Sequence, residues 1–171
     1  YNFQDYGGAV KMFGANPVVN INRTTFDKCS SYRGGAIYQA TGTLNVTNSY
    51  FSSNFTNGSI GDINNGGGAF AKAGGASTFT NCVFTGNYMS DAGVFTDPSP
   101  GSDGSCDGGT VLIRGVGTFT FNTCSFSGGR VNDKGQHIYL DQSGTLTGVI
   151  TNCTFGKRTT AVQGKSIHFQ F

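Results

Sequence analysis

Apolar residues recur along this chain in short alternating pairs and not on helical spacing. Leu44/Val46, Phe119/Phe121 and Ile167/Phe169 alternate with polar neighbours, the period-two pattern of a strand with one buried face. No stretch repeats apolar residues at i, i+3, i+4 and i+7 over three turns, and the chain is rich in Gly, Thr, Ser and Asn, all poor helix formers. Each apolar run is brief and bounded by Gly or Asn, so the strands are short and the turns frequent.

The pattern also repeats over longer distances. Phe26, Phe51, Phe84, Phe126 and Phe155 close the segments VNINRTTF, LNVTNSYF, STFTNCVF, FTFNTCSF and GVITNCTF. Five residues before each stands Ile21, Val46, Phe79, Phe121 or Ile150, and two before stands Thr24, Ser49, Cys82, Cys124 or Cys153. Between these segments lie Gly7-Gly8-Ala9, Gly34-Gly35-Ala36, Gly67-Gly68-Ala69 and Gly108-Gly109-Thr110, decaying to Gly135-Gln136-His137 and Gly164-Lys165-Ser166. Such a unit cannot bury its apolar face alone and must stack on its neighbours.

Successive phenylalanines are 51−26 = 25, 84−51 = 33, 126−84 = 42 and 155−126 = 29 residues apart, a fixed rung plus loops of variable length. In LNVTNSYF, Leu44 and Val46 point inward, Asn48 takes a bend that favours left-handed backbone, and Ser49 and Phe51 point inward again. The Gly-Gly-Ala element turns the next corner. Three short strands per turn predict an all-β chain folded as a right-handed parallel β-helix of about six rungs, stacked about 4.8 Å apart. A β-sandwich also suits short alternating strands, but it does not require the same residues in the same order. The whole of 1–171 reads as one domain, with rungs opening near 7, 34, 67, 93/108, 135 and 164 and loop insertions near 55–66 and 97–107. The expected interior holds a Phe ladder (Phe26, Phe51, Phe84, Phe126, Phe155) and a cysteine ladder (Cys82, Cys124, Cys153).

Composition narrows the function. The net charge is +2, only 12% of residues are charged, and Trp is absent; that excludes the basic patch expected of a nucleic-acid binder. No apolar run approaches the ~18 residues of a membrane-spanning helix. The ladder cysteines read as buried thiols or as one disulfide between stacked neighbours; Cys29 and Cys106 lie outside the ladder. Five Asn-X-Ser/Thr sequons occur, at Asn22, Asn45, Asn54, Asn57 and Asn152, and N-linked glycans would be the only attached groups. Asn57 falls in an insertion, Asn22 and Asn45 are expected to face outward, and Asn152 at the corner is expected to be the poorest acceptor.

Catalytic and metal chemistry find little support. Every acid is Asp, and only Asp97, Asp103 and Asp107 cluster, in DPSPGSDGSCDGG. They are weak candidates for calcium, lacking a regular ligand spacing. No cofactor is expected. His137 and His168 follow different repeat offsets and are expected to be outward strand residues.

With GGAIY at 34–38 and Phe-X-X-Asn at Phe51–Asn54 and Phe84–Asn87, nearly all of the chain resembles the polymorphic outer-membrane protein repeat family. The rungs at Phe26, Phe126 and Phe155 depart from Phe-X-X-Asn. The resemblance implies a secreted or surface-displayed right-handed β-helix acting in adhesion and surface architecture.

Three function classes remain. The leading expectation is a non-catalytic extracellular structural or adhesive β-helix, stacking end to end with its own kind or forming part of a longer surface protein, with a glycan or cell-surface partner. The apolar Phe3, Tyr6, Ile167, Phe169 and Phe171 near the chain ends carry the stacking expectation. A polysaccharide lyase or hydrolase would need clustered carboxylates, which the scattered Asp residues do not offer. An ice-binding solenoid would use the outward threonines, among them Thr78, Thr80, Thr118 and Thr120, but the unequal rung lengths predict that their registers drift.

Overall fold

The computed structural model describes residues 6–58, 66–91, 108–131, 135–141, 144–156 and 166–170. Among the described residues there are strands and turns and no helix. Every strand pair is parallel, and strands close in space come from successive repeats, so the chain is a parallel β-helix.

Strands are numbered along the chain and fall into four sheets. Sheet 1 stacks β1 (Val10–Met12), β5 (Ile37–Gln39), β9 (Phe70–Lys72), β13 (Val111–Arg114), β16 (Ile138–Asp141) and β19 (Ile167–Gln170). Sheet 2 stacks β2 (Val18–Asn22), β6 (Thr43–Thr47), β10 (Ala76–Thr80), β14 (Gly117–Asn122) and β17 (Leu146–Thr151). Sheet 3 stacks β3 (Thr25–Asp27), β7 (Tyr50–Ser52), β11 (Val83–Thr85), β15 (Ser125–Ser127) and β18 (Thr154–Phe155). The three strands per rung expected from the sequence are all present. A fourth sheet of β4 (Ser30–Ser31), β8 (Phe55–Gly58) and β12 (Tyr88–Asp91) adds a further strand to three of the turns.

The Gly-Gly-Ala element explains where that fourth strand fits. The first glycine has a left-handed backbone in every copy described, with φ of 68°, 61°, 70°, 67° and 68° at Gly7, Gly34, Gly67, Gly108 and Gly135. The second lies against a neighbouring backbone: a Cβ on Gly68 would come within 2.6 Å of both Tyr88 N and Gly109 O, a clash no side chain could relieve. Among the described residues an isolated bridge between Tyr88 and Arg130, the latter against Gly109, continues the sheet beyond β12.

Sheets 2 and 3 meet at a corner of equal regularity. Arg23, Asn48, Asn81, Thr123 and Asn152 all take φ between 51° and 55°. Asn tolerates this conformation because its short polar side chain bonds locally; Asn81 Nδ2 donates to Asn48 Oδ1 at 2.8 Å, and Asn48 Nδ2 to Asn22 Oδ1 at 3.1 Å. Inside, the rings of Phe26, Phe51, Phe84, Phe126 and Phe155 form one stack with successive centroids 4.8, 4.7, 4.7 and 5.0 Å apart. Phe79 and Phe121 of sheet 2 close on this stack edge-on. Each such pair adds about 0.5–1.5 kcal/mol beyond the area it buries.

Candidate functional site

The outward face of sheet 2 is a regular surface. Along its strands inward and outward positions alternate, and direct register partners stack the outward ones in three columns. The first is Val18, Thr43, Ala76, Thr118 and Thr147; the second Asn20, Asn45, Thr78, Thr120 and Val149; the third Asn22, Thr47, Thr80, Asn122 and Thr151. None of these residues is charged or aromatic. Neighbouring strands are about 4.8 Å apart and successive outward positions about 6.7 Å apart. Side chains on the face fix one another: Asn45 Nδ2 donates to Asn20 Oδ1 at 2.8 Å and Thr47 Oγ1 to Asn22 Oδ1 at 2.9 Å.

The expected drift of the threonine registers is therefore corrected. The unequal rung lengths are real, but their largest additions fall at 59–65 and 92–107, between sheet 4 and sheet 1. The path from sheet 2 through its corner to the phenylalanine has one length in all five repeats: 26−18, 51−43, 84−76, 126−118 and 155−147 each equal 8. Beneath the face the Phe79 and Phe121 rings stack 16° from parallel, and the neighbouring ladder rings of sheet 3 differ by 15°, 8°, 3° and 5° from Phe26 to Phe155.

Two sequons lie on this face, Asn22 and Asn45. Asn57 is exposed, but it stands on β8 and not in a loop insertion: residues 55–58, expected as part of that insertion, pair with β4 and β12. Asn54 is placed differently from its reading as an acceptor: it is 0% exposed, with Nδ2 donating to Phe26 O at 3.0 Å and Asn87 Oδ1 at 2.9 Å. It belongs with Asn87, whose Nδ2 donates to Phe51 O at 2.9 Å, to a buried amide ladder behind the Phe stack. The Phe-X-X-Asn element encodes that ladder. Asn152 is also placed differently: its backbone takes the expected corner, but its side chain points to solvent.

Cys82, Cys124 and Cys153 occupy one inward column as free thiols. Each donates to the carbonyl two residues back, at 3.4, 3.4 and 3.3 Å, and to a carbonyl of the preceding rung. The hydrogen bond shared with Cys82, together with burial, pushes the Cys124 thiol up, and burial does the same at Cys153. These are packing thiols. Cys29 replaces Asn at its Phe-X-X-Asn position, and its backbone N–H donates to Asn54 Oδ1 at 2.9 Å.

His137 does not face outward as the sequence suggested. It takes the seat of Ala36, Ala69 and Thr110 and is fully buried beside the Phe126 and Phe155 rings. Burial pushes its pKa below the ordinary value. The unfolded chain therefore takes up a proton below about pH 6.5 that the folded one refuses, so acid weakens the fold through this residue. His168 does face outward and stacks on Tyr139 at 5.3 Å.

Asp97, Asp103, Asp107 and Cys106 lie outside the described residues. Among the described residues no group of three or more potential metal ligands converges. Asp27 is exposed on β3, and Asp141 forms an ion pair with Arg114, with Oδ2 2.9 Å from Nε. Comparison of the chain with family models, with curated proteins and with solved structures returns no match.

Proposed function

We propose that this chain is a non-catalytic, extracellular adhesive β-helix whose working surface is the outward face of sheet 2. One observation carries the reading: three outward positions on each of five in-register strands are all uncharged. A surface that repeats in two directions suits a partner that also repeats, because each contact is small and the many add up. The resemblance to polymorphic outer-membrane protein repeats and the exposed sequon Asn57 support a surface location.

Retention on insoluble particles tests this. Crystalline cellulose, chitin and finely divided ice are each incubated with the wild-type chain and with the double variant Thr78→Lys/Thr120→Lys. Retention on one of the solids that the double variant loses, with its fold unchanged by circular dichroism, supports the reading. Equal retention of both proteins, or none on any solid, overturns it.

End-to-end self-association is a second reading, favoured by exposed apolar side chains at both extremes of the helix. Phe13 is 76% and Val18 67% exposed at one, and Phe169 52% at the other, where edge strands can take a further strand. Sedimentation that stays monomeric at every concentration would remove it.

A further inference from the structure

We infer that the solid which sheet 2 recognises is ice, an inference that rests on the adhesive reading above. The argument is one of elimination on chemistry and one of fit on geometry.

The face carries no aromatic ring. A polysaccharide surface is ordinarily gripped by aromatic side chains laid against sugar rings, and none stands among the outward residues of β10 or β14. It also carries no charge. An ionised side chain holds its own hydration shell against the order of a crystal, and its absence leaves water free to adopt the order of a lattice. A mineral or an anionic polymer would ask for the opposite.

What the face offers is threonine at regular intervals. Thr78 and Thr120 are direct register partners, as are Thr118 and Thr147. Each presents one hydroxyl, which donates and accepts, and one methyl group, which excludes disordered water. Ice presents oxygen atoms that repeat in two directions on a scale of a few ångströms, like the about 4.8 by 6.7 Å grid of the sheet. Rotamers of a β-branched side chain are few, so the grid is ordered before it meets the crystal and little entropy is lost on contact. Direct register from β10 through β14 to β17 keeps successive rows aligned, and beneath them the Phe79 and Phe121 rings stack face to face.

The sequons bound the footprint. A glycan on Asn22 or Asn45 would stand on β2 or β6. The outward positions of β10, β14 and β17 contain no sequon asparagine, and these three strands form the core of the proposed site.

The test uses the bacterially expressed, unglycosylated chain and a slowly growing front of polycrystalline ice. Three proteins are compared: wild type, Thr120→Lys on the middle strand of the β10–β14–β17 site, and Thr85→Lys on the outward side of sheet 3. All three must melt at similar temperatures. The inference predicts that wild type and Thr85→Lys enter the ice several-fold over an inert protein of similar size, and that Thr120→Lys falls to the inert level. Wild type excluded from ice overturns it. If that excluded wild type is instead retained on cellulose or chitin in a Thr120-dependent way, the ice assignment fails while the adhesive face stands. Equal entry of wild type and Thr120→Lys removes both.

Discussion

Sheets 1 and 2 are built from the same rungs, yet their outer faces differ in kind. On sheet 1 the outward column Tyr38, Ala71, Leu112 and Tyr139 is buried and forms its own apolar cluster. Cations close over it: the Arg33 guanidinium lies 5.1 Å from the Tyr6 ring and that of Arg114 5.8 Å from Tyr139, contacts of about 0.5–2 kcal/mol each. On sheet 2 the outward columns are hydroxyls, amides and small apolar groups open to solvent. A strand buried on both sides stabilises the fold through both; a strand buried on one side leaves the other for contact with something else. The difference between the two sheets separates the part of the molecule that holds it together from the part available for function.

The largest effect should come from the interior that both faces share. Phe84 is stacked between Phe51 and Phe126 at 4.7 Å on each side. Phe84→Ala should cost about 3–5 kcal/mol by denaturant unfolding. A cost within the surface range would mean that the ladder does not support the rungs.

The contrast between the faces is sharpened by truncating one residue on each. Tyr139, 1% exposed, should cost about 2–4 kcal/mol as Tyr139→Ala, whereas Thr120→Ala should stay within about 0.5 kcal/mol. Similar costs at the two positions would erase the distinction.

Lys72 tests the junction between the sheets. It points inward at the end of β9, is 2% exposed, and donates from Nζ to Val116 O at 2.8 Å. Burial lowers its pKa from the ordinary value to about 8. Between about pH 8 and 10.4 the unfolded chain keeps a proton that the folded chain has released, so this residue's contribution to stability rises with pH across that window. Below it the full penalty remains. Lys72→Met should therefore be more stable than wild type by about 1–3 kcal/mol at pH 7, and the gap should close towards pH 10.4. A constant gap would mean the amine is not buried as described.

The sheet 2–sheet 3 corner should give a smaller change of opposite sign to the truncations. Thr123, with φ of 55°, is a β-branched residue in a conformation that suits Asn. Thr123→Asn in bacterially expressed protein should stabilise by about 1 kcal/mol. No gain would show that the corner strain is relieved elsewhere.

Much of this fold could be read from the chain. Period-two pairs such as Leu44/Val46 marked sheet 2, the recurring phenylalanines marked sheet 3, and Asn48 and Asn81 marked the left-handed corner, because in each case one residue type answers one local demand. Sheet 4 was harder to see, since Ser30–Ser31 is too short to show alternation. Asn54 was read through its sequon triplet, when its distance from Phe51, shared by Asn87 and Phe84, already placed it inside. His137 occupies the third seat of the Gly-Gly-Ala element, buried at Ala36, Ala69 and Thr110, and the replacement of the second glycine by Gln136 hid that. The threonine grid was obscured because spacing counted over whole rungs mixes the constant sheet 2–sheet 3 path with insertions elsewhere.

Everything proposed for sheet 2 depends on its rows being in register, and paired cysteines test that most directly. Thr78 and Thr120 are direct partners, with Cα atoms about 4.8 Å apart, within disulfide reach. Thr78 and Thr118 are offset by two residues and lie about 8 Å apart, beyond it. Mild oxidation with peptide mapping should link Thr78→Cys/Thr120→Cys and leave Thr78→Cys/Thr118→Cys unlinked. Preferential linkage of the offset pair would contradict the register and with it the ordered face.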